Sequence, residues 1–136
     1  MNLFVQQAKE RYANGYNCAQ AVASPFFEKY DISDDLGMRI TAGMGGGYRS
    51  GEICGAAAGG VFVIGVGTED PEEIGDKTKE FLERFRAIEG DLSCQEILNA
   101  TPAERAVKTE EEKEADRTIC RNLCKEAAEI LVDMGY

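Results

Sequence analysis

The chain has 136 residues, 15 basic and 25 acidic, giving a formal net charge of −10, with five cysteines and neither histidine nor tryptophan. This length is one domain, able to bury roughly two-thirds of its unfolded surface without staples, and its acidic surface excludes nucleic acid and anionic membrane as partners. Without histidine there is no ordinary general base or neutral metal ligand, so any transition-metal site must use thiolate, with carboxylate as a possible addition.

Leu3 to Ala13 carries Leu3, Val5, Ala8 and Tyr12 near helical spacing, and Gly15 ends it. Asn17 to Gln20 forms a capping box ahead of Ala21, Val22, Phe26 and Phe27, and Pro25 inside this run kinks the helix or restarts it. Ser33 caps a helix from Asp34 to about Gly43. Beyond a glycine cluster, Glu52 to Val66 is apolar. Its Val61–Ile64 stretch suits a buried strand by propensity, but the chain holds no partner strand, so helix is expected. Asp70-Pro71-Glu72-Glu73 starts a helix whose apolar stripe is Phe81, Leu82, Phe85 and Ile88, and Gly90 stops it.

Ser93 to Glu96 is a second capping box, and Thr101 to Glu104 and Thr109 to Glu112 repeat the pattern. The last helix, Glu110 to Met134, presents Ile119, Cys120, Leu123, Cys124, Ala127, Ile130, Leu131 and Met134. The fold expected is all-α, a compact single-domain bundle of about six or seven helices spanning residues 1–136. No segment approaches the ~18 apolar residues of a membrane span, so no membrane insertion is expected. The N-terminus lacks a charged region ahead of an apolar one, which makes the cytoplasm the expected location. In that compartment five cysteines point to redox work or metal binding more than to a disulfide framework.

The stretch Thr41 to Gly60, TAGMGGGYRSGEICGAAAGG, is the centre of this organisation. Ser50 is a candidate N-cap, which places Cys54 about one turn into the helix that follows, where unpaired N–H groups and the helix dipole favour a thiolate. Cys18 after Asn17 and Cys94 after Ser93 share that context, whereas Cys120 and Cys124 lie one turn apart within the last helix. Three helix-start thiols and two inward ones are thereby expected to converge on one buried locus. A nucleotide loop is not supported: GxGxxG fails at Tyr48 or Ser50, no strand precedes it, and there is no GK[ST]. Arg49, beside Cys54 in the sequence, is a candidate to stabilise a thiolate or bind an anion, with a solvent-exposed loop arginine as the simpler alternative. The small residues from Gly43 to Gly60 are a candidate homodimer contact.

Asn17-Cys18-Ala19-Gln20-Ala21-Val22, Cys54-Gly55-Ala56-Ala57-Ala58-Gly59, Ser93-Cys94 with Leu98, and Cys120 with Ala127 to Leu131, in this order and spacing, resemble the C_GCAxxG_C_C family over about residues 14–131. That is a group of small proteins described as redox-active and often encoded beside transporter genes. The resemblance places the family's four cysteines on Cys18, Cys54, Cys94 and Cys120; Cys124 stands where an aliphatic residue is usual and is an extra. It implies an all-helical fold and thiol-based redox or metal chemistry, with an iron–sulfur site suggested by relatives joined to electron-transfer modules.

Three functional expectations follow. The first is a redox protein, by dithiol–disulfide exchange or electron transfer, with Cys54 as the low-pKa attacking thiolate, Cys18 or Cys120 resolving, Cys94 in the same set, and a redox partner of unknown identity. The second is a non-enzymatic carrier of an iron–sulfur cluster or other thiolate-bound metal, with Cys18, Cys54, Cys94 and Cys120 as ligands. The third is a structural helical domain docking on a partner such as a transporter.

Overall fold

The computed structural model describes residues 2–136. The described residues form eight α-helices: α1 (Leu3–Ala13), α2 (Cys18–Ala23), α3 (Asp34–Ala42), α4 (Gly55–Gly67), α5 (Pro71–Glu89), α6 (Cys94–Leu98), α7 (Pro102–Ala106) and α8 (Glu110–Asp133). The fold is all-α.

Local chemistry sets the helix boundaries. The Asn17 side chain accepts from the Gln20 N–H at 2.9 Å while Gln20 Oε1 accepts from the Asn17 N–H at 3.1 Å, closing the capping box of α2. Pro25 converts the end of that helix into a 3₁₀ turn, Ser24–Phe26, so the chain kinks there. Asp70 caps α5 with Pro71 in its first turn, and Gly90 ends it at φ +84. The Val61–Ile64 stretch is helical, with Val63 and Ile64 fully buried and Val61 and Phe62 partly so.

The core lies between α1, α2, α4, α5 and α8. Its largest fully buried side chains are Phe26, Phe27, Phe81, Phe85, Ile64 and Leu131, each worth about 1.5–3 kcal/mol of burial. Glycine brings the helices close. A Cβ on Gly59 would lie 2.6 Å from the Ala19 carbonyl oxygen, and one on Gly60 would lie 2.2 Å from the Phe81 ring. The small residues of α4 are therefore spent inside the chain, against α2 and α5. The C-terminal residue is tied down by the Tyr30 hydroxyl, which donates to the Tyr136 oxygen at 3.0 Å. No helix of the described residues is long and apolar enough to cross a membrane.

Three stripes differ from expectation at their edges. Leu3 is 62 % exposed, Ile88 53 % and Ile119 41 %, because each sits at the rim of its helix's apolar face. The larger difference concerns the start of α4. Ser50 is not its cap: the Ser50 hydroxyl donates to the Tyr48 carbonyl at 2.8 Å, and Cys54 itself holds the N-cap position. Left-handed backbone is the reason. Gly46, Gly47, Tyr48 and Arg49 have φ values of +64, +63, +57 and +59, a single left-handed turn that cannot run on into a right-handed helix. Tyr48 and Arg49 each carry about 1–2 kcal/mol of strain in that conformation.

Candidate functional site

Cysteines 18, 54, 94 and 120 line one cavity of about 230 Å³. Backbone geometry brings them there. Cys54 and Cys94 are drawn together by an antiparallel bridge between Ile53 and Ser93, in which the Cys54 N–H donates to the Leu92 carbonyl at 2.7 Å and the Cys94 N–H to the Glu52 carbonyl at 2.6 Å. Ser93 caps α6 and its hydroxyl also donates to the Gly51 carbonyl at 3.1 Å. The glycine cluster supplies close approach: a Cβ on Gly55 would lie 3.0 Å from the Cys18 Cβ, and one on Gly47 would lie 3.0 Å from the Cys94 Cβ and 2.5 Å from the Glu52 nitrogen. Cys120 reaches the cavity from α8, packed with Cys94 and Leu98.

All five cysteines are free thiols. The Cys18 and Cys120 thiols are close enough to shift each other's titration, and the Cys124 thiol acts on Cys18 in the same way. Cys124 lies deeper, in the main apolar core, with its thiol 3.8 Å from the Cys18 carbonyl. It touches the set through Cys18 and does not line the cavity.

The expectation of depressed thiol pKa values at the helix starts is overturned. Burial pushes Cys54 up to about 12, although the N–H groups of Ala57 and Ala56 at the start of α4 oppose the shift. Cys120 is pushed up by the neighbouring Cys18 thiol and by burial, with Tyr12 and Arg105 pulling the other way. For Cys18 the neighbouring Cys120 thiol lowers the value, but Cys124 and burial outweigh it and raise it well above the ordinary range. Cys94 is raised by burial too, but the Arg105 cation opposes this. The physical reason is length and depth. Helices α2 and α6 have only six and five residues, too short for a strong dipole, and an apolar wall that includes Leu98 and Leu123 removes solvent from the thiolates.

Arg105 and Tyr12 belong to the site although the sequence did not single them out for it. The Arg105 Nη1 donates to Cys94 Sγ at 3.6 Å. Behind it, Asp116 is 8 % exposed and pairs with Lys108 at 2.8 Å and with Arg105 at 3.8 Å. Tyr12 lines the cavity and packs against the Cys94, Leu98 and Cys120 cluster; burial, first, and the neighbouring thiols push its own pKa up. Arg49, the arginine expected near a thiol, instead stands at a neighbouring cleft and donates to the Ala42 carbonyl at 3.3 Å. Adjacency in sequence misled here because the left-handed turn swings Arg49 away from Cys54.

The thiolate–metal alternative requires three or more donors set around one point. Among the described residues no three cysteine, aspartate or glutamate side chains are grouped so as to hold a metal ion, so the four cavity cysteines do not fit that role in this arrangement.

No curated protein and no solved structure matches the chain. Residues 16–134 match the family described as "Putative redox-active protein (C_GCAxxG_C_C)". With nearly the whole domain covered, the cavity cysteines included, the chain belongs to the C_GCAxxG_C_C family.

Proposed function

We propose that the protein is a thiol–disulfide redox protein in which Cys94 is the attacking thiol and Cys120 the resolving one. One observation carries the reading: four free thiols from four different helix positions line a single cavity, and Cys94 alone among them accepts a hydrogen bond from a cation, Arg105, at 3.6 Å. A cation beside a sulfur favours its thiolate, which is the nucleophile. This moves the attacking role from Cys54, the sequence-based expectation, to Cys94.

The steps balance as follows. The Cys94 thiolate attacks a disulfide RSSR′, the S–S bond breaks, a Cys94–SR mixed disulfide forms, and R′S⁻ leaves and takes a proton from water. Cys120 packs against Cys94, with Tyr12 against the same cluster, and Tyr12 favours the Cys120 thiolate. Its attack on the Cys94 sulfur expels RS⁻ and leaves a Cys94–Cys120 disulfide. Two electrons pass from the protein dithiol to the substrate. Cys18, which lines the same cavity, then sits where its thiolate attacks the Cys120 sulfur, forming a Cys18–Cys120 disulfide and returning Cys94 to its reduced form.

The test is a thiol count on native protein. Fully reduced chain treated with a small disulfide should lose two of its five thiols while keeping its helical circular dichroism. Five thiols that react only after unfolding would overturn the reading.

A further inference from the structure

The chain is strongly acidic, yet one cleft of about 380 Å³ is lined by Arg49, Arg105, Lys113 and Arg117 against a single carboxylate, Asp116. Asp116 is buried and engaged by Lys108 at 2.8 Å, so it does not neutralise the cleft. Lys113 pairs with Glu110 at 3.8 Å, and Arg117 with Glu114 at 2.8 Å and Glu110 at 3.9 Å. Both glutamates stand well out in solvent, and pairs of this kind are weak enough to yield to a better-placed anion. Arg49 has no carboxylate partner among the described residues and is held at the cleft by the left-handed turn. The buried Nε of Arg105 faces the Asp116 carboxylate at 3.8 Å, beyond hydrogen-bond reach, so this guanidinium is only loosely tied to its own carboxylate.

The cleft is continuous with the thiol cavity. Tyr12, Gly46 and Arg105 line both. Arg105 is the hinge between them: it donates to Cys94 Sγ at 3.6 Å and lines the basic cleft with the same guanidinium. A molecule that rests a carboxylate among Arg49, Arg105 and Lys113 therefore has its next few atoms at Cys94. The basic cleft, at about 380 Å³, lies within the roughly 300–1,000 Å³ usual for small-molecule sites, and the thiol cavity of about 230 Å³ adjoins it.

We propose that this cleft is the carboxylate subsite for a small anionic disulfide, the substrate class of the thiol chemistry set out above, on which this inference rests. The carboxylate is held in the cleft; the sulfur nearer to it takes the Cys94 thiolate, the S–S bond breaks, and the distal half leaves as a thiolate that is protonated by water. Resolution by Cys120 releases the held half as a thiol, so the substrate gains two electrons and the protein dithiol loses them.

Reduced full-length protein is mixed with dithiodiglycolate or with its neutral diamide, and loss of the Cys94 thiol is followed by quenched-flow alkylation. The carboxylated disulfide should react at least about tenfold faster, against the repulsion of the acidic chain, and the preference should shrink as salt is added. Arg49→Gln combined with Lys113→Gln should bring the two rates to within about twofold. Adipate, which has carbon in place of the disulfide sulfurs, should slow the carboxylated substrate competitively and protect Arg49 from modification by phenylglyoxal. Equal rates for both disulfides in the wild type, with Cys94 still oxidised, would overturn the subsite and leave the thiol reading standing. No oxidation of Cys94 by either would overturn both.

Discussion

Cys54 and Cys94 stand at two helix starts joined by one backbone bridge, each with its N–H bonded across to the other strand, yet their thiols differ in kind. Cys54 caps the thirteen-residue α4, the longer helix and the better dipole, and its pKa is nonetheless pushed up to about 12. Cys94 begins a five-residue helix and is also raised, but it has the Arg105 guanidinium beside it. Burial outweighs a helix N-terminus, and a neighbouring cation decides which of two buried thiols is nearest to reacting.

That contrast is open to test, first through the pH dependence of stability. The folded-state pKa of Cys54 lies above its ordinary value of 9.0, so folding favours the protonated thiol. Its contribution is complete below pH 9.0 and is lost as pH rises toward about 12. Wild type should lose stability over that window relative to Cys54→Ser, by about 4 kcal/mol once the folded thiol titrates, read from urea midpoints under reducing conditions. Serine is itself a good N-cap, so the variant should fold. A constant difference across the window would show that Cys54 is not held neutral by burial.

Next comes the division of labour. Cys94→Ser should slow the first oxidation of the protein by a small disulfide by about a hundredfold or more, whereas Cys54→Ser should slow it by less than about fivefold. Reversal of that order would return the attacking role to Cys54.

A smaller effect separates the wedge under Cys94 from the rest of the glycine cluster. Gly47→Ala should cost about 2–3 kcal/mol, since a methyl there meets the Glu52 nitrogen at 2.5 Å at a φ of +63. Gly43→Ala, with a negative φ and nothing within 4 Å, should be neutral or stabilising by about 0.5 kcal/mol. Thermal unfolding distinguishes the two, and equal effects would mean that the turn does not press on Cys94 as described.

Much of this fold was legible in the sequence because caps are local. Asn17, Ser33, Asp70, Ser93, Thr101 and Thr109 each mark a helix start and each accepts the expected backbone hydrogen bond. The Gly46–Arg49 turn was not legible, because nothing about tyrosine or arginine announces a positive φ; the hydrogen bonds of Tyr48 N–H to the Met44 carbonyl and of Arg49 to the Ala42 carbonyl form only once the turn is made. The convergence of thiols was readable in outline from three capped helix starts and one inward helix face. Arg105 was not, since its contact with Cys94 spans eleven residues and two helices, a distance that no helical period encodes. Tyr12 looked like one more apolar-face residue of α1, and only the approach of α8 sets it beside Cys120.

The most direct test of the account is the pH dependence of alkylation at each of the five thiols in the native reduced protein, read by mass spectrometry. Cys94 should be labelled first and at the lowest pH, with its profile moved to more alkaline pH in Arg105→Gln because the opposing cation is gone. Cys54 labelled ahead of Cys94, or a Cys94 profile indifferent to Arg105, would contradict it.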